Sequence, residues 1–137
     1  MSRRAFLTGA LALSLTALGC GPDKPRALVV ADGSGAVHSV GVDMRVKSYE
    51  KISGRPVRVL QVSADQAVTL ASRGEADVAV VPIEISLDTF LASEHGAVAG
   101  FLNHNGERLR VLEVNAKQHP KVDAKGAKNL ASALIIP

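Results

Sequence analysis

The sequence predicts a three-layer α/β domain with a mainly parallel sheet. Short apolar runs alternate along the chain with amphipathic stretches at helical spacing. Two of these runs are continuous, which is typical of strands buried on both faces. Turn and capping residues separate the segments at the spacing of βαβ units, whose crossovers are right-handed. With 137 residues, 47% of them hydrophobic, the chain is large enough for one such domain.

The first strand is predicted at residues 27–31, a continuous apolar run that ends at an Asp-Gly turn. The following segment is predicted to be a helix because Val42, Val46 and Tyr49 recur at helical spacing. Gly54 is expected to end this helix, since glycine adopts the left-handed conformation of a helix C-terminus without strain.

A second strand is predicted at residues 57–62, where apolar and polar side chains alternate. Ser63 and Gln66 then match a capping box, in which each side chain bonds the backbone N–H of the other residue. The helix that begins there is expected to stop at Gly74. The apolar run at residues 77–82 predicts a third buried strand.

A third helix is predicted over residues 86–93. Asn105-Gly106 favours a hairpin turn. We further expect a strand at residues 109–115 and a helix at residues 123–133 that packs on the sheet.

Composition and motifs exclude several classes of function. Without residues 1–19 the chain has 14 basic and 13 acidic side chains, and it has no basic run, so it is not expected to bind nucleic acid. No nucleophile motif or phosphate loop is present, so we do not expect an enzyme, and no cofactor is implied. The four histidines show no metal-ligand spacing, and His95 and His119 are expected to be loop residues that face solvent.

The N-terminus is predicted to be an export signal. Arg3 and Arg4 precede an apolar run that is too short for an ordinary membrane-spanning helix. The run leads to Cys20 in a sequence that resembles a bacterial lipoprotein signal. We therefore expect a signal peptide at residues 1–19, an acylated Cys20 and a tether at residues 20–26.

Two alternatives remain for this segment. It is an ordinary cleaved signal with an incidental cysteine, or it is a lipoprotein signal read by one of two export routes. The motif Ser2-Arg3-Arg4-Ala5-Phe6-Leu7 is similar to a twin-arginine signal, and a plain basic start for the general route explains it equally well. Each alternative places the protein in the cell envelope, on the periplasmic or extracytoplasmic side of the membrane.

Three stretches, taken in their order along the chain, resemble a known family. Residues 49–54, 62–67 and 70–78, the last containing Arg-Gly-Glu-Ala-Asp-Val, resemble the first lobe of periplasmic tungstate-binding proteins, the receptors of ABC importers. The resemblance implies a periplasmic-binding-protein-like lobe spanning residues 27–137. It also implies tungstate or molybdate as a small oxyanion ligand and an ABC permease as partner. Relatives build a second lobe where this chain has a short connector between Gly96 and Leu109, so we expect a single truncated domain.

The resemblance places the ligand at loops that follow the first two strands, beside helix N-termini. The residues at those positions are Asp32, Gly33, Ser34, Ser39, Ser63, Ala64 and Asp65. Hydroxyl and amide groups suit an oxyanion because they donate hydrogen bonds. Ser39 and Ser63 are alternatively only helix caps.

The two aspartates argue against a strong oxyanion site, because each adds a negative charge beside the ligand. Asp65 is alternatively a favourable charge in a first helical turn, and Asp32 a turn-forming residue. Two functions follow from the sequence. One is a degenerate oxyanion-binding lipoprotein, and the other is a ligand-free envelope module that binds a partner protein.

Overall fold

The structure is a computed structural model and describes residues 26–135. The predicted signal peptide, Cys20 and nearly all of the tether lie outside the described residues. The elements in chain order are β1 (Leu28–Asp32), α1 (Ala36–Ser53), β2 (Val57–Gln61), α2 (Ala64–Ser72), β3 (Val78–Pro82), α3 (Asp88–Ala92), β4 (Gly96–His104), β5 (Glu107–Val114) and α4 (Ala124–Ile135).

The predicted α/β class is confirmed, with the strands in the order β2-β1-β3-β5-β4. The first three strands are parallel, as expected for strands joined by helices. β5 is antiparallel to both β3 and β4. The sheet is therefore mixed, with a parallel half and an antiparallel half that meet at β3.

The main departure from the sequence prediction is β4, because residues 96–104 form a nine-residue strand rather than a connector. The predicted turn is confirmed: Asn105 and Gly106 have φ values of 53° and 78° and join β4 to β5. Two glycines within these residues, Gly96 and Gly100, lowered the strand propensity of the segment. Cβ atoms built at Gly96 and Gly100 would lie 2.4 Å from the Glu113 carbonyl oxygen and 2.9 Å from Ile135 Cδ1. Gly96 therefore leaves no room for a side chain, whereas a side chain at Gly100 would displace only the end of Ile135.

The helices cover the two faces of the sheet, which gives the predicted three layers. On one face α2 packs on β1 and β3, and a Cβ atom at Gly33 would lie 2.8 Å from Ala67 Cβ. On the other face α4 packs on β4 and β5 and contacts α1, and a Cβ atom at Gly126 would lie 2.8 Å from Leu28 Cδ2. The core between the layers is wholly aliphatic except for Phe90.

The helix ends agree with the predicted signals. Ser63 caps α2 in a complete capping box with Gln66, and Gly54 ends α1 in the left-handed conformation with φ 74°. In contrast, no side chain caps the N-terminus of α1, which follows Gly35. Among the described residues, no helix combines the length and the apolar character needed to cross a membrane.

A buried carboxylate, that of Asp77, joins several segments at the edge of the sheet where the parallel strands begin. Asp77, 1% exposed, accepts hydrogen bonds from the Arg26 guanidinium, the Val29 amide and the Asp123 amide. The hydrogen bond to Asp77 raises the pKa of Arg26. Asp77 belongs to the Arg-Gly-Glu-Ala-Asp-Val stretch, so in this fold that stretch joins β1, β3 and the start of α4.

Candidate functional site

The loops that follow β1 and β2 meet at the carboxyl-terminal edge of the parallel strands. The Val62 amide donates to the Asp32 carbonyl oxygen at 3.0 Å. A Cβ atom at Gly33 would lie 2.8 Å from Ala64 Cα, so only glycine allows this close approach. The structure therefore places two predicted segments, 32–34 and 63–65, side by side.

The N-terminus of α1 opens onto the same edge. Gly35 has φ 91°, a conformation that favours glycine, and the helix has no side-chain cap. The first N–H groups of a helix lack partners within the helix and carry the positive end of its dipole. The His38 amide donates to the Gly35 carbonyl oxygen at 3.1 Å, so the amides of Ala36 and Val37 are the donors that this helix start offers to an anion.

The predicted hydroxyl donors are largely committed to the protein. Ser34 Oγ donates to Asp32 Oδ1 at 2.5 Å, and Ser39 Oγ donates to the Gly35 carbonyl oxygen at 2.9 Å. Ser63 Oγ accepts from the Gln66 amide at 3.1 Å. Accepting leaves the hydroxyl hydrogen of Ser63 available, whereas Ser34 and Ser39 have used theirs. The capping alternative for Ser63 is therefore realised, and Ser39 bonds back within its own helix.

Asp32 is the most constrained of the predicted site residues. Its side chain is 1% exposed, and Oδ1 accepts from both the amide and the hydroxyl of Ser34. Oδ2 is buried and has no hydrogen-bond partner among the described residues. Asp32 thus has the turn-forming role that the sequence analysis gave as an alternative. Its Oδ2 atom remains a buried acceptor without a donor among the described residues.

Asp65 differs from Asp32 because it is exposed in the first turn of α2. The positive end of the helix dipole favours a carboxylate at this position. Asp65 is two positions after Ser63, whose hydroxyl group remains able to donate a hydrogen bond. Asp65 is therefore the aspartate that substitution can test without disturbing the buried loop.

Three further residues lie near this edge and were not singled out as site residues in the sequence. His38 in α1 lies with Nε2 4.0 Å from Glu107 Oε1, and its ring is 5.9 Å from that of His104. The β4–β5 hairpin carries Glu107 and His104 back to α1, so no local pattern could have revealed the cluster. In the part of the chain that the structure describes, no group of three or more His, Cys, Asp or Glu side chains is arranged to hold a metal ion.

Two cavities lie away from the predicted site. The larger, of about 640 Å³, lies at the amino-terminal edge and is lined by Arg26, Arg73, Asp77 and His119 among others. The second, of about 510 Å³, lies where the end of β5 meets the start of β4. Neither of these two cavities is lined by residues 32–39 or 63–65.

No protein-family model and no curated protein matches the sequence. Two solved structures have a similar fold, each with a TM-score of 0.67 over 82% of this chain and 95% of theirs. One is a conserved protein of unknown function from Vibrio parahaemolyticus, at 12% identity, and the other is the tungstate ABC transporter from Geobacter sulfurreducens, at 13% identity. A phosphate transport receptor from Vibrio cholerae matches only in part, with a TM-score of 0.42 over 30% of its chain.

The likeness to the Geobacter structure shows that the fold is a periplasmic-binding-protein-like lobe. The likeness extends over nearly the whole of that neighbour's solved chain.

Proposed function

We propose that this protein is an extracytoplasmic solute-binding lipoprotein, related to the receptors of ABC importers for tungstate and similar oxyanions. The observation that supports the proposal is the meeting of the 32–34 and 63–65 loops beside the uncapped N-terminus of α1. The same fold occurs in the Geobacter tungstate transporter. Anchoring through Cys20 and an ABC permease as partner are parts of the same proposal.

The ligand in this proposal is a tetrahedral oxyanion such as tungstate or molybdate. The first-turn amides of α1 and the hydroxyl of Ser63 would donate to it, and neither group needs a full positive charge to do so. No cofactor takes part.

The site is degenerate because its charges and its openness both weaken binding. A unit charge pair at contact distance is worth about 1 kcal/mol in water and about 4 kcal/mol at an effective dielectric of 20, roughly doubled for a dianion. The carboxylates of Asp32 and Asp65 therefore offset several hydrogen bonds of about 1 kcal/mol each. A single open lobe also leaves the ligand in contact with water.

Calorimetric titration with sodium tungstate and sodium molybdate tests the proposal. The protein is the chain from residue 20 with Cys20→Ser, which contains every described residue. We expect weak binding by this protein and tighter binding by Asp65→Asn, because the substitution removes an exposed like charge beside Ser63. Glu75→Gln removes the same charge at the opposite edge and is expected to leave the affinity unchanged. An equal effect of both substitutions would show that only net charge matters.

The alternative function is a ligand-free envelope module that binds a partner protein. One observation favours it: Val37, Val40 and Met44 form an apolar stripe on α1 and are 59–68% exposed. Exposed apolar stripes of this kind are typical of interaction surfaces. Absence of any heat with both oxyanions, for the parent chain and for Asp65→Asn alike, would favour this module over the receptor.

A further inference from the structure

His95 and His119 form a pair that the sequence analysis did not anticipate. Both were expected to face solvent, but both are half-buried, and His95 Nδ1 lies 3.1 Å from His119 Nε2. Their ring centroids are 5.2 Å apart and the rings are tilted by 31°. The pair joins the start of β4 to the loop that follows β5.

Backbone bonds hold both histidines in place. The His95 amide donates to the Phe90 carbonyl oxygen at 3.1 Å, and the His95 carbonyl oxygen accepts from the Asn115 amide at 2.8 Å. The His119 amide donates to the Asn115 carbonyl oxygen at 3.1 Å. The backbone of both histidines is therefore fixed relative to Asn115, and this holds the two side chains next to each other.

Packing restricts the rings as well. A Cβ atom at Gly74 would lie 2.8 Å from His119 Cγ, so glycine leaves just enough room for that ring. On the other side the Phe90 ring lies 6.1 Å from the ring of His95. Both imidazoles are therefore restricted before any ligand arrives, and such restriction favours metal binding.

Between two neutral imidazoles the contact holds a single proton, donated by one nitrogen and accepted by the other. A divalent transition-metal ion takes neutral imidazole nitrogens as ligands. For it to bind here, the ring that donates must change tautomer: its shared proton leaves to water while its other ring nitrogen takes one up, so that both facing nitrogens present lone pairs. Zinc–nitrogen bonds of about 2.0–2.1 Å place two nitrogens of a tetrahedral ion about 3.3 Å apart. The observed separation of 3.1 Å needs only a small pivot of the rings to reach this geometry.

We propose that His95 and His119 form a binding site for a divalent transition-metal ion of the zinc, nickel and copper class. No third His, Cys, Asp or Glu side chain of the described residues completes the set, so water fills the remaining positions and the ion is exchangeable. The bound ion ties β4 to the loop after β5. This proposal is independent of the oxyanion site, which lies at the other edge of the sheet.

Calorimetric titration with zinc chloride tests the site on the chain from residue 20 with Cys20→Ser, prepared without a polyhistidine tag. We expect one ion per chain and a rise in the thermal unfolding temperature, because an ion that binds only the folded state stabilises it. His95→Gln and His119→Gln should each lower zinc affinity by at least about tenfold. The matched control is His38→Gln combined with His104→Gln, which removes two rings 5.9 Å apart and should leave zinc affinity unchanged.

Electron paramagnetic resonance of the parent chain with one equivalent of copper(II) reads the ligands directly and needs no variant to fold. Splitting from two imidazole nitrogens is the expected spectrum. The proposal is overturned if zinc produces no heat and no thermal shift, if either glutamine variant keeps the parent affinity, or if the copper spectrum shows fewer than two nitrogens.

Discussion

At the scale of the residue, Asp32 and Ser34 determine the shape of the loop after β1. The carboxylate accepts two hydrogen bonds from Ser34, and neither residue is more than 5% exposed. A buried acceptor that loses its donor incurs most of its desolvation cost. The pair therefore accounts for the loop's conformation. The family resemblance, in contrast, led us to expect both residues to contact the ligand.

We predict that Ser34→Ala destabilises the protein by about 1–3 kcal/mol, because it leaves Asp32 Oδ1 with one donor fewer while Oδ2 has no donor among residues 26–135. Urea denaturation at neutral pH measures the change. Ser93→Ala, at an exposed serine whose hydroxyl makes no hydrogen bond among the described residues, is the control and should change the free energy of unfolding by less than about 0.5 kcal/mol. Equal values for the two variants would mean that the Ser34 hydroxyl contributes nothing to folding.

The predictability of the site is also decided residue by residue. The sequence located Ser63 correctly because a capping box is a local signal, confined to four residues. It could not show that Ser34 and Ser39 spend their hydroxyl hydrogens inside the protein, since that depends on side-chain direction. Nor could it pair His95 with His119, which are brought together only when the chain returns along β5.

At the scale of the element, α4 depends on its first residues. Asp123 Oδ1 accepts from the Gly126 amide at 2.9 Å, and Oδ2 accepts from Arg55 at 2.8 Å. These bonds, the one to Gly126 first, hold the pKa of Asp123 below its usual value. A carboxyl whose pKa is lowered on folding adds stability above its ordinary pKa and loses it as the pH falls through the lowered value.

We predict that Asp123→Ala destabilises the protein by about 1 kcal/mol at neutral pH, as expected for loss of a helix cap. The difference from the parent chain should shrink as the pH falls below about 4, because the Asp123 carboxyl of the unfolded chain then takes up a proton before that of the folded protein does. Urea denaturation at pH 7 and pH 3 measures both values. Asp88→Ala, at an exposed residue in α3 whose carboxylate accepts no hydrogen bond among the described residues, is the control. A difference that stays constant with pH would refute a role for the charge.

The elements themselves were largely predictable. β1, β2, β3 and β5 lie within two residues of their predicted bounds because continuous or alternating apolar runs are local features of the sequence. β4 was missed because two of its nine residues are glycines, which have poor strand propensity, and close packing on the Glu113 carbonyl oxygen requires glycine at Gly96. The antiparallel half of the sheet was missed with it, since the prediction had no strand there to pair with β5.

At the scale of the whole molecule, Arg26 lies where three segments of the chain meet. Arg26 donates to Asp77, the residue before β3, and to the Lys121 carbonyl oxygen, and its own carbonyl oxygen accepts from Arg55. The polypeptide therefore joins the amino-terminal edge of the sheet only six residues after Cys20.

We predict that the protein in cells begins at an acylated Cys20 and fractionates with membranes. Mass spectrometry of the membrane fraction should show a first residue with the added mass of the lipid, and Cys20→Ser should abolish this modified N-terminus. A soluble wild-type protein with an unmodified Cys20 would contradict the lipoprotein proposal.

The position of β3 also has a consequence for how the molecule folds. β4 and β5 are neighbours in sequence and are joined by a two-residue turn, so they pair over a short loop and can form early. The parallel pairing of β1 with β3 joins residues about fifty positions apart, which closes a long loop and is slow. Because β3 is the strand that both halves share, the hairpin offers a preformed edge on which β3 docks, and β1 and β2 then add to its other side. We therefore expect the hairpin to be structured in the folding transition state and the parallel half to form last.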